Sequence, residues 1–326
     1  MSRIILPKPP SRNGTQLHTG LPPSPDDYGE LNTRADKAIR ELSAPYPRTA
    51  WIYRMLTSDM RVDAHWNMSN YTTVGKLNYN DHGPIHARVT GAYAMQIMKL
   101  LIEAGAPMDV INSGAGNTDD AHLVVLAGVL LHDIGNALHR IGHEAMGVVM
   151  AYDILREFLK PIYDDEEQRT LMMDFILSAI QCHDMNPAPL FMEGAVVAVA
   201  DGCDMTKGRA RMPVDLGKLD IHAVSALAIE EVNIKPSQSQ MPVEIEVVMS
   251  NSAGIFQVEE TLVKKINATP LRHYLTVHVC PQHPDETSDR RIITDLILEN
   301  GRLKPVEVAR QEPSHAPALS PKLKQG

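Results

Sequence analysis

The apolar run Leu123-Val-Val-Leu-Ala-Gly-Val-Leu-Leu131, closed by His132-Asp133, constrains this chain more than any other stretch. Such a run reads as a buried helix, and a buried helix needs other helices packed around it. An adjacent imidazole and carboxylate at its end are costly to desolvate, and a cation held there offsets that cost. Further candidate ligands, His86, His143, His183 and Asp201, stand at or near the ends of other expected helices. One histidine on an apolar face is usually a satisfied core residue; several converging metal-competent positions point to a metal site.

The fold class expected is mostly α, a helical bundle domain followed by a small α+β domain. Residues 1–30 are rich in Pro, Ser, Gly and Asn without periodicity and read as a mobile arm, as does the tail 311–326. Residues 31–235 carry helical spacing. Pro84 suits the first turn of a helix with Asp81 as a cap ahead of it, and the stripe Ile85, Val89, Ala92, Leu100 follows. Asn112–Thr118 reads as a plain connection: its glycines follow no strand and match no nucleotide motif. Asp119 and Asp120 open the helix that runs into His132-Asp133. The next begins near Gly142 and reaches Lys160, and the acidic Asp164–Glu167 suits the start of another, which ends at His183. Ala195–Ala200 leads to Asp201, and a further helix is expected from Asp220 to Val232.

After Pro236 the period changes. Val243–Val248 and Tyr274–Val279 alternate as half-buried strands do, Phe256–Ile266 between them looks helical, and Arg291–Leu298 reads as a strand turning at Asn300-Gly301 into another. This unit, residues 236–310, shows no chemistry of its own. Its strand edges suggest dimerisation or regulation.

Charge and cysteine usage narrow the function classes. A formal charge of −9 without a long basic block disfavours general nucleic-acid binding. The three cysteines, Cys182, Cys203 and Cys280, form no C-x-x-C pair, which argues against a thiolate zinc site and suits a reducing cytoplasm. No apolar run is long enough for a membrane span, and the first residues are too short and proline-broken for a signal segment.

The ordered set His86-Ala-Arg-Val89, Leu131-His-Asp-Ile-Gly135, His143-Glu-Ala-Met-Gly147, Cys182-His-Asp184 and Val199-Ala-Asp-Gly-Cys-Asp204 resembles the dinuclear version of the HD-domain superfamily of metal-dependent phosphohydrolases. The resemblance covers roughly residues 75–210. It implies an all-helical catalytic domain with His86, His132, Asp133, His143, His183 and Asp201 as metal ligands. His86, His132 and Asp201 then take one ion, His143 and His183 the other, and Asp133 bridges them. The His-His pair and Gly-Tyr-Pro segment of the HD-GYP branch are absent, so that branch's cyclic dinucleotide substrate is not implied. Nor does His143-Glu144 open a zincin motif, because position 147 is glycine.

The implied reaction is hydrolysis of a phosphomonoester or phosphodiester, nucleotide-derived esters among the options, by a water activated between two divalent ions about 4 Å apart. Carboxylate and imidazole ligands suit Fe or Mn first, with Zn, Ni, Co or Mg as options. Asp133 is the candidate catalytic carboxylate. His82, four residues before His86, is a candidate proton donor or outer partner of the ligands. Lys207, Arg209, Arg211 and, less directly, Arg140 are candidate phosphate contacts, guanidinium being suited to bidentate binding. His139 competes with His143, which the family spacing favours, and Asp184 is expected to orient His183 or cap a turn. Two other functions fit the same ligand set: an HD-type diiron oxygenase, and a non-catalytic nucleotide-binding sensor. The basic cluster after Asp204 favours hydrolysis.

Overall fold

Helix α1 (Asp26–Ser43) opens the bundle and packs along α4 (Pro84–Glu103), while α2 (Pro47–Ser58) and α3 (Met60–Leu77) close one side of it. The computed structural model describes residues 26–207, 209, 221–282 and 295–306. Pro84 stands in the first turn of α4, and the Asp81 carboxylate accepts from the backbone N–H of Gly83 and His86, both at 3.1 Å. That cap satisfies otherwise orphaned N–H groups beside His86 and fixes where the helix begins.

A short α5 (Asp109–Asn112) leads to α6 (Thr118–Leu131), in which every residue from Asp120 to Leu131 is buried. Asn117 and Asp120 form a capping box at its start. The helix packs against α2 and α4, and further against α8 (Glu166–Cys182) and α9 (Met192–Cys203). Neighbours on all sides explain why it has no polar face. At its far end the chain tightens into a 3-10 turn, Ile134–Ala137, which lies against the start of α7 (His143–Leu159). A Cβ on Gly135 would sit 1.9 Å from the His143 carbonyl oxygen and 2.5 Å from the Gly147 nitrogen. Only glycine lets the two backbones meet this closely, and their contact sets the distance between His132-Asp133 and His143.

After α10 (Ile221–Leu227) the described residues form a five-stranded mixed sheet of β1 (Ile229–Pro236), β2 (Val243–Met249), β3 (Leu275–Pro281), β4 (Leu296–Glu299) and β5 (Arg302–Pro305), in that spatial order. All neighbours pair antiparallel except β2 and β3, which run parallel with Ile245 opposite Val277. Parallel partners need a crossover. Here it is helical: α11 (Gly254–Gln257), a π-helical segment Val258–Val263, α12 (Lys264–Asn267), then a 3-10 turn at Pro270–His273. In β2 the buried residues Val243, Ile245, Val247 and Met249 alternate with half-buried ones, the pattern of a sheet with one covered face. The crossover lies on α9, where a Cβ on Gly202 would come within 2.8 Å of the Thr261 carbonyl oxygen. One continuous apolar cluster runs from α6 and α9 into β2 and β3.

The helical domain followed by an α+β unit is as expected, with differences at the joints. Residues 26–30, read as the end of the arm, already belong to α1; residues 1–25 and the tail 311–326 lie outside the described residues. The helix expected from Asp220 to Val232 ends at Leu227, and Ile229–Pro236 is a strand paired with β2. Ala226, Ile229 and Val232 recur at helical spacing with glutamates between, but strand pairing overrides local propensity there. Of the expected Arg291–Leu298 strand, residues 291–294 lie outside the described residues and β4 begins at Leu296. Among the described residues no helix is long and apolar enough to cross a membrane.

Candidate metal centre

Five separate turns of chain bring His86, His132, Asp133, His143, His183 and Asp201 together at one end of the bundle. His86 lies in the first turn of α4, His132 caps the C-terminus of α6 and Asp133 starts the 3-10 turn. His143 begins α7, His183 caps the C-terminus of α8, and Asp201 is in the last turn of α9. His86, His132, Asp133, His143 and His183 are buried.

Their donor atoms fall into two groups. His86 Nε2 lies 3.1 Å from His132 Nε2, 3.2 Å from Asp201 Oδ1 and 3.3 Å from Asp133 Oδ2. His132 Nε2 is 3.2 Å from the same Asp133 Oδ2. On the other side, His143 Nε2 and His183 Nε2 are 3.1 Å apart and lie 3.3 and 3.6 Å from Asp133 Oδ1. Asp133 thus turns one oxygen to each group, and Oδ1 also accepts from Asn136 Nδ2 at 2.7 Å.

The outward nitrogens are equally ordered. His86 Nδ1 meets Asp204 Oδ2 at 2.6 Å, His132 Nδ1 meets the Val129 carbonyl at 2.6 Å, His143 Nδ1 that of Arg140 at 3.0 Å, and His183 Nδ1 that of Ile180 at 2.7 Å. An acceptor at each Nδ1 assigns the proton there and leaves the Nε2 lone pair facing inward, the arrangement of metal-binding histidines. Two pairs of Nε2 atoms at 3.1 Å face each other with carboxylate oxygens beside them. This donor set fits hard or borderline divalent cations. Triads drawn from these residues, His86-His132-Asp201 and His132-Asp133-His183 among them, have ligand atoms close enough to share an ion.

The acids and histidines of the cluster shift one another's pKa values. Burial alone would push His86 down, but Asp133, Asp201 and Asp204 outweigh it and raise its pKa to about 10. Burial opposes a charged His132 as well, and Asp133 and Asp201 bring it up to about 9. Against their own burial, Asp133 is held well below the carboxylate range by His132 and His82, and Asp201 by Lys265 and the histidines. His82 and His183 are pushed down, chiefly by burial.

A cleft of about 510 Å³ opens onto this cluster, lined by Asp133, His183 and Asp201 and also by His82, Arg140 and Arg209. Arg140 Nη1 lies 3.0 Å from His143 Nε2, and Nη2 lies 3.5 Å from Asp184 Oδ2, so Asp184 steers Arg140 and His183 is oriented by backbone. Arg209 is buried and donates to the carbonyls of Asp81 and Asp204 at 2.9 and 2.7 Å and to His82 Nδ1 at 2.7 Å. It braces the site from behind. Since guanidinium only donates, His82 Nδ1 is the acceptor and its proton is on Nε2.

Lys207 is not brought to the cluster. Its ammonium pairs with Glu230, and both line a separate cavity with Arg34 and Tyr93. Attraction to an acid on β1 decides its direction, which local sequence could not reveal. Arg211 lies outside the described residues. His139 is exposed and accepts from the Ile141 N–H, leaving the cluster to His143. Two residues of the site had no role assigned from sequence, Asp204, named only as part of a motif, and Lys265. Asp204 had a signal, the second acid of Ala-Asp-Gly-Cys-Asp, one turn beyond Asp201. Lys265 comes from the α+β unit that showed no chemistry, and donates to Asp201 Oδ2 at 2.5 Å and the His183 carbonyl at 3.1 Å. Its trace was a lysine on the apolar stripe Val258, Leu262, Ile266.

No family model matches the chain, and no solved structure matches it. Among curated proteins it is 38% identical over 243 residues to a Methanocaldococcus jannaschii protein whose name is "Uncharacterized protein MJ1020", a match spanning 74% of this chain and 93% of that one.

Proposed function

The chain belongs to one family with the Methanocaldococcus jannaschii protein MJ1020, and from its buried cluster we propose that it is an HD-type metal-dependent phosphohydrolase with a dinuclear centre. One observation carries this reading: four histidines have Nδ1 tied outward and Nε2 turned inward, around a carboxylate whose two oxygens face two separate donor groups. His86, His132 and Asp201 would hold one ion, His143 and His183 the other, with Asp133 common to both. Bound there, two divalent cations supply Lewis acidity and a water acidic enough to act as nucleophile near neutral pH.

The chain's own residues do the rest. Arg140, at the cleft beside His143, suits a phosphoryl oxygen and replaces the Lys207 contact expected from sequence. His82, neutral through burial and with its proton on Nε2, can hydrogen-bond a leaving-group oxygen. The cleft volume, about 510 Å³, suits a ligand of nucleotide size. Its lining is polar, with Arg140 the cation closest to the open side of His143, which favours a polar ester over an apolar substrate.

Elemental analysis of protein purified without added metal, with a panel of phosphomonoesters and phosphodiesters assayed under anaerobic conditions, tests the reading. Close to two equivalents of iron or manganese and phosphate release without oxygen support it. Turnover that requires dioxygen, or nucleotide binding with no turnover, would replace it with an oxygenase or a sensor.

A further inference from the structure

Lys265 enters the metal centre from outside the helical bundle. It stands on α12, in the crossover between β2 and β3, and is only 8% exposed. Its ammonium donates to Asp201 Oδ2 at 2.5 Å and to the His183 carbonyl at 3.1 Å. Asp201 belongs to the donor group of His86 and His132, whereas His183 belongs to that of His143. One cation from the sheet unit therefore touches both halves of the centre.

The bond to Asp201 has a directional consequence. With Oδ2 occupied by Lys265, Oδ1 is the oxygen turned to His86 at 3.2 Å and to His132 at 3.7 Å. The second bond holds the backbone of His183 at the turn that ends α8. A lysine stem is flexible, but this one is seated by packing: a Cβ on Gly202 would lie 3.3 Å from Lys265 Cδ and 2.8 Å from the Thr261 carbonyl oxygen. The π-helical segment just before α12 brings that carbonyl against α9, and such segments recur at functional sites.

We propose that Lys265 is a positioning residue through which the α+β unit becomes a structural part of the metal centre. It selects the oxygen that Asp201 presents and pins the His183 turn. The proposal rests on the metal reading above. Two effects of removing the ammonium oppose each other. Losing a nearby positive charge would strengthen the pull on a metal cation, whereas losing the orientation of Asp201 would weaken it. Outer partners of metal ligands are typically worth about 10–100-fold in affinity, so orientation is expected to win.

Full-length Lys265→Met and Lys265→Arg proteins test this by titration with Mn²⁺ alone and by ¹⁵N spectra of the imidazoles in metal-free protein. Far-UV circular dichroism checks that each is folded. In K265M, Mn²⁺ binding should weaken by about 10-fold or more, with K265R intermediate, and the metal-free His183 and His86 signals should move. K265M that binds Mn²⁺ as tightly as the parent, or more tightly, overturns the proposal, as do unmoved imidazole signals. If K265M does not fold, K265R decides by the same two readouts. A parent protein that binds no Mn²⁺ sinks the metal reading instead; displaced imidazole signals in the metal-free variant would still support the positioning role.

Discussion

The carboxylates around His86 and His132 raise their pKa values to about 10 and about 9 from an ordinary 6.5 when no cation competes for them. A raised folded value contributes stability that is complete below 6.5 and is lost as pH climbs through 9 to 10. His82 and His183 are shifted the other way, so they cost stability below 6.5, where the unfolded chain takes up protons that they refuse. The metal-free protein should therefore melt highest near pH 6.5 and lose stability toward pH 9–10. A cation in place of the protons should flatten that decline. Melting curves across this range, with metal and with chelator, check both statements. For the same reason metal binding at pH 7 should release protons, seen as a buffer-dependent heat in calorimetry; a heat independent of buffer contradicts it. Asp133→Ala removes the oxygens that face both groups and should lower metal content and hydrolysis by at least about 100-fold, whereas Asp204→Asn should cost about 10–100-fold. Such residues as His132-Asp133 and Asp201 were legible because ionisable groups ending apolar runs are rare. Asp204's partnership with His86 was not, since 118 residues separate them.

Among the elements, α6 was the plainest in sequence and β1 the least. Burial on all sides removes any polar face from α6, so its composition announces it. The Ile229–Pro236 strand carries good helix formers, Glu230 and Glu231, and becomes a strand because β2 offers it a ladder, with a register shift between Ile229 and Glu231. Two close approaches between elements position the centre, and alanine tests each. Gly135→Ala would force the HD turn away from His143 and should destabilise the protein by about 1–3 kcal/mol while lowering metal affinity, measured by denaturant unfolding and Mn²⁺ titration. Gly202→Ala should cost a comparable amount by parting α9 from the crossover, and its effect on Mn²⁺ binding should resemble that of K265M. A Gly202→Ala protein with parental stability and affinity would show that the contact gives way freely.

Considered whole, the molecule places a helical bundle and a mixed sheet on one apolar cluster, with the cleft bounded by the bundle and by the helical crossover between β2 and β3. Among the described residues β1 and β5 are the edges of the sheet, and if they pair between copies, light scattering of the intact protein should give twice the chain mass, which a monomer would refute. Local pattern determined by itself the helical character of the bundle, the strands β2 and β3, and the residue types able to hold a cation. These are short-range properties: periodicity sets which face is buried, and burial makes an ionisable side chain conspicuous. Only the tertiary structure decided that Lys207 turns away to Glu230, that Arg209 braces His82, and that Lys265 reaches Asp201 across 64 residues. A long cationic side chain takes its direction from whichever acceptor the fold brings within reach, and that acceptor is on another element.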